Sequence, residues 1–277
     1  MRKILLSISY SRQKLFDGEF DILRDWYTKI IDKYNLPIIL LGYAGGYDDQ
    51  YINHDIKTVC LKSNDKFIAN KYYEFHKIIL DNPWIAEEYD VVVTQNTSTV
   101  VNLVALNQMI QDPRFSIDVV YGELISSWVC NIYPQGRLFI YSKEIRDKVL
   151  DEWNNVITNQ RLTDTSKNGD YDWQNADDYV FGICCNKLGI KYQDISRTFF
   201  GIYKNQNGRS ISLDNLTNFN ELSTTMVMQM KCLTQSSNDV FKIRESVEPI
   251  LILLANAIYS RPYTIDELME ICDKAYA

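Results

Sequence analysis

Two adjacent carboxylates, Asp177 and Asp178, open an amphipathic stretch, Ala176–Leu188, directly after the polar segment Arg161–Asn175. Neighbouring like charges can raise the pKa of one member, which suits a general base working near neutral pH. Acidic residues in the first turn of a helix are also stabilising by about 0.3–1 kcal/mol, so capping alone accounts for the pair as well. The preceding segment carries Tyr171 and Trp173, aromatic residues of the kind that line sugar sites. A second place of interest is VVVTQNTSTVVNL, Val91 to Leu103, in which three valines run into a turn without a charged residue. In an open α/β sheet, ligands bind beyond the carboxyl ends of the strands, and Gln95–Thr99 is expected at that edge. The alternative is that Asn96, Ser98 and Thr99 merely cap the helix that follows.

Histidine excludes more chemistry than any other residue type. There are two, His54 and His76, with no H-E-x-x-H and no carboxylate or cysteine at ligand spacing. A Ser-His-Asp hydrolase or a His-ligated zinc enzyme is therefore not expected. His76 is placed on a surface or half-buried helix face. The six cysteines form no C-x-x-C pair and read as reduced core thiols. A net charge of −7 argues against a nucleic-acid partner, whose phosphates demand Lys and Arg.

The elements that must position these groups alternate in type. Apolar runs at Lys3–Ser9, Ile38–Gly42, Ile56–Leu61 and Asp90–Thr94 read as strands, and Phe16–Tyr34, Lys71–Leu80 and Val100–Ile110 as helices. This alternation predicts an α/β protein with a mainly parallel sheet covered by helices on both faces. After Pro113 come short runs, Ile117–Tyr121, Trp128–Tyr133 and Leu138–Tyr141, then a helix from Lys143 to about Asn154. Gly189 is a plausible C-cap for the 176–188 helix. Beyond a joint at Asn205–Arg209, Thr225–Leu233 reads as a strand and Val240–Tyr259 as a buried helix. The Gly-Gly of GYAGG, 42–46, reads as a turn, since no Lys or Arg adjoins it in sequence. Trp84 and Trp153 are expected to pack in or over the core. The apolar start is shorter than a signal core of roughly 7–15 residues, and no run approaches the roughly 20 that span a bilayer. A soluble, cytoplasmic protein follows, with any membrane association peripheral.

Taken in order, four segments resemble Fringe-like and beta-1,3-galactosyltransferase-like enzymes. Residues 91–106 are similar to their metal-site segment, in which an Asp triplet precedes an aromatic-Val-Asn-Leu run. Tyr133 to Ile145 resembles their glycine-rich acceptor-side strand, and 176–190 their acidic-Asp-x-x-x-Gly helix with its following Leu-Gly-Ile. Leu23 to Trp26 resembles an early Arg-x-Thr-Trp element, one residue short. The resemblance spans about residues 1–197 and implies a GT-A (Rossmann-like) fold over 1–204, with 205–277 as a strand and helical extension packed on the same domain. It implies an inverting hexosyl- or pentosyltransferase using a nucleotide-sugar, a UDP-sugar by expectation, on a glycan acceptor in polysaccharide or surface-glycan synthesis. Asp178 matches the family's base, with Asp177 as neighbour or alternate. Ser9, Arg24, Asn96, Thr97, Ser98 and Lys231 fall to donor binding; Tyr133, Gly136, Arg137 and Trp173 fall to acceptor binding, with Arg137 also within reach of phosphates. The triplet positions are Asn96, Thr97 and Ser98, all neutral, whereas Mg²⁺ and Mn²⁺ favour carboxylates. No metal ligand is assigned, and either ion could enter only through the donor's phosphates. A GT-A-like binding or scaffold protein without catalysis is the competing expectation, and a nucleotidyltransferase a weaker one. Nothing in the pattern assigns an oligomeric state.

Overall fold

In chain order the elements are β1 (Ile4–Ser9), α1 (Glu19–Tyr34), β2 (Ile38–Ala44), β3 (Tyr51–Asn53), β4 (Thr58–Cys60), α2 (Ile68–Leu80) and α3 (Pro83–Ala86). There follow β5 (Val91–Asn96), β6 (Thr99–Val101), α4 (Leu103–Gln111), β7 (Val119–Ser127), β8 (Asn131–Ser142) and α5 (Lys143–Asn159). The last are α6 (Asp177–Lys187), β9 (Lys191–Asp194), β10 (Phe199–Lys204), β11 (Ile211–Asp214) and β12 (Val227–Cys232). The computed structural model describes residues 1–12, 19–65, 68–97, 99–127, 131–159, 177–195, 199–204, 211–214 and 227–232. The expected helix at Val240–Tyr259 lies outside these.

Among the described residues eight strands form one sheet in the order β3-β4-β2-β1-β5-β8-β7-β9, parallel through β4-β2-β1-β5, with β3 antiparallel at one edge and mixed pairings through β8, β7 and β9 at the other. The expected mixed, mainly parallel sheet flanked by helices is the one observed. Its central strands are continuous apolar runs because both faces are covered. Along β1, Ile4, Leu6 and Ile8 meet α1 and α4, while Leu5 meets α2 and its neighbours on the opposite face. On α1, Phe20, Leu23, Tyr27 and Ile30 make the buried stripe at helical spacing. From β1 the chain passes through α1 to β2 on one side, and later through α2 to β5 on the other side. Right-handed crossovers running in opposite directions put those helices on opposite faces and open a crevice between the carboxyl ends of β1 and β5.

The four-stranded second sheet has the order β11-β10-β12-β6. The strand expected at Thr225–Leu233 is β12, which runs antiparallel to β6 with Gln229 opposite Thr99. Strands β10 and β11 pair directly across residue 204.

Four expectations are corrected. The short runs after Pro113 are one long hairpin, β7 with β8, interrupted at a register shift between Gly122 and Leu124. The residues that made it look fragmentary, Gly122, Pro134 and Gly136, are those of the shift: Gly122 pairs Phe139 and Leu124 pairs Pro134, so four residues of β8 oppose Glu123 alone. The helix expected from Val100 begins later, because Thr99–Val101 is β6 and Asn102 is the N-cap, its side chain accepting from Ala105 N. His76 is fully buried, with Tyr141 OH 3.2 Å from Nε2, and burial followed by the Arg146 charge holds its pKa well below the usual value. It ends a polar line through the core that runs from Ser7 through Thr94 to Tyr141, each step 3.1 Å. Trp84, finally, is 54% exposed, whereas Trp153 is in the core as expected.

Helix α6 lies against β8 through a close approach. A Cβ on Gly182 would stand 2.3 Å from Tyr133 Cβ and 3.3 Å from its Cα. Helix propensity alone favours alanine here by about 1 kcal/mol, but relieving the overlap moves α6 off the strand. Gly182→Ala is expected to lose about 1–3 kcal/mol, read as a lower denaturant midpoint at unchanged m-value.

Candidate active site

The bulge in β8 has a consequence for the crevice. Since Gln95 of β5 pairs with Leu138, the extra residues 135–138 stand beside the end of β5. There Gly136 joins the two places singled out in the sequence. Its N–H donates to Asp178 Oδ2 at 2.7 Å, and its carbonyl accepts from Asn96 Nδ2 at 3.2 Å. A Cβ on Gly136 would lie 3.0 Å from Asp178 Oδ2, so glycine lets backbone and carboxylate meet. The front of α6 and the bend after β5 are thus joined through a single residue.

The bend is held firmly. Asn96 Oδ1 accepts from Thr99 Oγ1 at 2.9 Å, and Gln95 Nε2 donates to Thr99 O at 3.0 Å. Tyr27 OH reaches Gln95 Oε1 and accepts from Val101 N at 2.8 Å. Asn96 therefore ties β5 to β8, and helix capping falls to Asn102. Thr97 is buried, and Ser98 lies outside the described residues. As a cradle for a divalent ion this bend does not fit. Both ends of the Asn96 carboxamide are engaged and no carboxylate stands in the bend. Among the described residues no group of three or more His, Cys, Asp or Glu is placed to hold a metal.

Asp178 accepts twice, from Gly136 N and from Tyr179 N at 2.8 Å. Asp177 is half-buried, its Oδ1 accepting from Asp178 N at 3.0 Å. Burial raises its pKa to about 7, the Asp178 charge adds to the rise, and the Asp178 N–H and the Lys71 ammonium oppose it. A carboxyl group that changes charge near pH 7 can take or give a proton under physiological conditions.

Three further residues complete the floor. Asp65 receives hydrogen bonds from Ser11 Oγ, from Arg12 N at 2.9 Å and from Gly45 N at 3.2 Å, and pairs with Lys71 Nζ at 3.1 Å. Lys71 is 2% exposed and also donates to Tyr10 O at 2.9 Å. Burial lowers its pKa against the opposing charges of Asp65 and Asp177. For Asp65 burial works against ionisation, but Ser11 and Lys71 outweigh it and the pKa lies below the usual value. Arg12, exposed, donates to Gly46 O at 2.6 Å and covers the Tyr47 ring at 3.9 Å. The Gly-Gly turn therefore has a cation beside it in space, delivered from the end of β1. Lys71 carried a signal in the sequence, since a lysine in the first turn of a helix opposes the helix dipole unless a carboxylate is near. Arg12 is three residues beyond a strand whose carboxyl end faces the crevice. The Asp65 clamp, built from three separate loops, had no such signal.

The remaining candidates are dispersed. Ser9 closes β1 and pairs in register with both Tyr43 and Asn96, within the crevice. Arg24 sits on α1 with its guanidinium taken by Asp21 at 2.6 Å and Asp25 at 2.8 Å. The backbone of Lys231 lies in β12, two residues past the partner of Thr99. Tyr133 packs edge-on against Tyr179 at 5.6 Å and supports α6. Arg137 is in the β8 bulge. Trp173, with Trp128 and Tyr171, lies outside the described residues.

No family model and no curated protein matches the chain. Among solved structures it is similar to a glycosyltransferase involved in the glycosylation of the major capsid of PBCV-1, at 9% identity and a TM-score of 0.45, over 88% of this chain and 99% of that one. It is also similar to a structure described as a nucleotide-diphospho-sugar transferase from Desulfovibrio desulfuricans G20, at 11% identity and a TM-score of 0.37, over 70% and 80% of the two chains. Among the described residues no helix is long and apolar enough to cross a membrane.

Proposed function

We propose that the protein is an inverting glycosyltransferase that moves a hexosyl or pentosyl group from a nucleotide-sugar, a UDP-sugar in the simplest case, to a glycan hydroxyl. The observation that carries this reading is the aspartate pair at the front of α6, set against the bend after β5 through Gly136. A transfer with inversion needs one carboxylate to accept the acceptor's proton as its oxygen attacks the anomeric carbon. The bond from that carbon to the nucleoside diphosphate breaks in the same step, and the proton ends on the carboxylate. Asp178 takes this role, and Asp177, titrating near neutrality beside it, sets how readily the pair accepts the proton. The departing diphosphate gathers negative charge, which fixed cations and N–H groups stabilise. Arg12 is the cation best placed for it; Arg24 is already paired, and Lys231 of β12 is the second candidate. A carboxylate-held metal takes no part in this scheme, and Mg²⁺ or Mn²⁺ would arrive only on the donor's phosphates. On the acceptor side the candidates remain Tyr133, Gly136, Arg137 and, by sequence alone, Trp173, in a cytoplasmic enzyme of polysaccharide or surface-glycan synthesis.

The test is release of nucleoside diphosphate from a panel of nucleotide-sugars, with and without EDTA. At least one donor is expected to turn over, and EDTA is expected to leave its rate within about twofold, since the neutral bend offers no carboxylate to hold a divalent ion. Absence of both turnover and donor binding would sink the reading. Calorimetric binding of a donor without release would place the chain with the non-catalytic binders instead.

A further inference from the structure

Away from the crevice, the edge strand β3 and the end of α2 enclose an open depression of about 430 Å³, lined by Gln50, Tyr51, His54, Asp81, Asn82 and Trp84 together with two isoleucines. Trp84 and Tyr51 are 54% and 47% exposed, an unusual outlay of aromatic surface to water. The indole is not loose. Its N–H points to Asn82 Oδ1 at 3.3 Å, Asn82 in turn donates to Ile78 O at 2.7 Å, and the His54 ring tilts against it at 5.1 Å. An aromatic side chain is thus held in place in a lining that also carries a carboxylate and two carboxamides. Tyr51 continues toward the crevice, its ring edge-on to Tyr47 at 6.2 Å, and Tyr47 carries the Arg12 guanidinium.

We infer that this depression is a second carbohydrate-binding site, which holds a neutral oligosaccharide by stacking sugar rings on Trp84 and Tyr51 and by hydrogen-bonding hydroxyls to Asp81 and Gln50, with Asn82 fixing the indole. The lining chooses this class over others. Among the described residues it contains no Lys or Arg, and Asp81 repels anions, so phosphates, nucleotides and acidic chains are disfavoured. A volume of 430 Å³ suits a small ligand, whereas a protein partner needs about 800 Å² of surface on each side. His54 and Asp81 are too few ligands for a metal. Planar amides and a carboxylate around exposed aromatic faces match a molecule with hydroxyls at its rim and C–H groups on its faces. The row Trp84–Tyr51–Tyr47 leads from this depression to the crevice, so the same glycan could be held while its end is extended.

The site needs no transfer chemistry, and its test is independent of turnover. The full chain is titrated with neutral hexasaccharides of glucose, mannose and galactose, followed by calorimetry and by tryptophan emission. Binding of at least one is expected, with a blue shift as Trp84 leaves water. Trp84→Ala and Tyr51→Ala should each weaken it about tenfold or more, while Trp84→Phe keeps most of it, and all three should melt as the wild type and bind nucleotide-sugar unchanged. No binding by the wild-type chain, or equal binding by Trp84→Ala, overturns the inference. Saccharide binding by a chain that turns over no donor upholds this site and counts against the transferase reading alone.

Discussion

Asp178→Asn is expected to lower transfer about 10²–10⁴-fold with donor affinity nearly unchanged. The amide oxygen can still accept from Gly136 N, which keeps β8 tied to α6, while Tyr179 N loses its acceptor and the proton-accepting carboxylate is gone. Asp177→Asn separates tuning from chemistry. Wild-type kcat/KM should rise with pH through about 7, where Asp177 changes charge, and in Asp177→Asn that rise should disappear. Stability supplies a second readout with a definite sign. The folded pKa of about 7 lies above the ordinary carboxyl value of 3.8, so the fold favours the protonated form. The stabilisation is fully present below about pH 4 and is lost as pH rises through about 7. Relative to wild type, the Tm of Asp177→Asn should therefore climb between pH 4 and 8. A Tm difference that stays constant over this range would show that Asp177 does not titrate where its surroundings place it. In Asp178→Asn the charge that helps raise the Asp177 pKa is gone, and the same window should move to lower pH.

How much of this was legible in the sequence depended on whether the information was local. Strands β1, β2 and β5 announce themselves as apolar runs because a parallel strand is buried on both faces. The helices α1 and α2 were visible for the complementary reason, a stripe at 3.6-residue spacing. Strand β6 was hidden because Val100 and Val101 continue without a break into Leu103 and Leu106, and only the side-chain bond of Asn102 marks the true start of α4. The hairpin was hidden because Gly122, Pro134 and Gly136 break the alternation that identifies strands. Those same residues create the bulge that brings Gly136 to Asp178. Within the site, the aspartate pair and the uncharged bend could be found, since each is contiguous in sequence. Asp65, Lys71 and Arg12 could not be found together, because their association is set by the packing of three loops at the sheet's edge. His76 failed for a related reason: a helix face that looks polar in sequence is buried when a sheet residue, Tyr141, brings a hydroxyl to it and a ring, Tyr72, packs edge-on beside it.

Lys71→Met carries the largest expected cost in stability, about 3–5 kcal/mol. The ammonium is buried between Asp65 and the Tyr10 carbonyl, and methionine fills its volume without its charge. Asp65, only 12% exposed, then loses its nearest compensating charge while burial still opposes its ionisation. Adding Asp65→Asn should recover part of the loss, because it discharges that carboxylate; it cannot recover all, because Ser11, Arg12 and Gly45 donate to the same oxygens. The pair also acts at a distance on chemistry. Lys71 is one of the influences that lower the Asp177 pKa, so without it the Asp177 pKa rises and the acid limb of the pH–rate profile moves to higher pH. Urea unfolding and a pH–rate series on the same variant separate the two effects. If Lys71→Met unfolded at the wild-type midpoint and kept the wild-type acid limb, the buried cation would be neither a strut of the crevice nor a part of its electrostatics. With both shifts present, the buried Asp65–Lys71 pair and Asp177 form one electrostatic unit, in which a single lysine both steadies the fold and sets how readily the carboxyl group ionises.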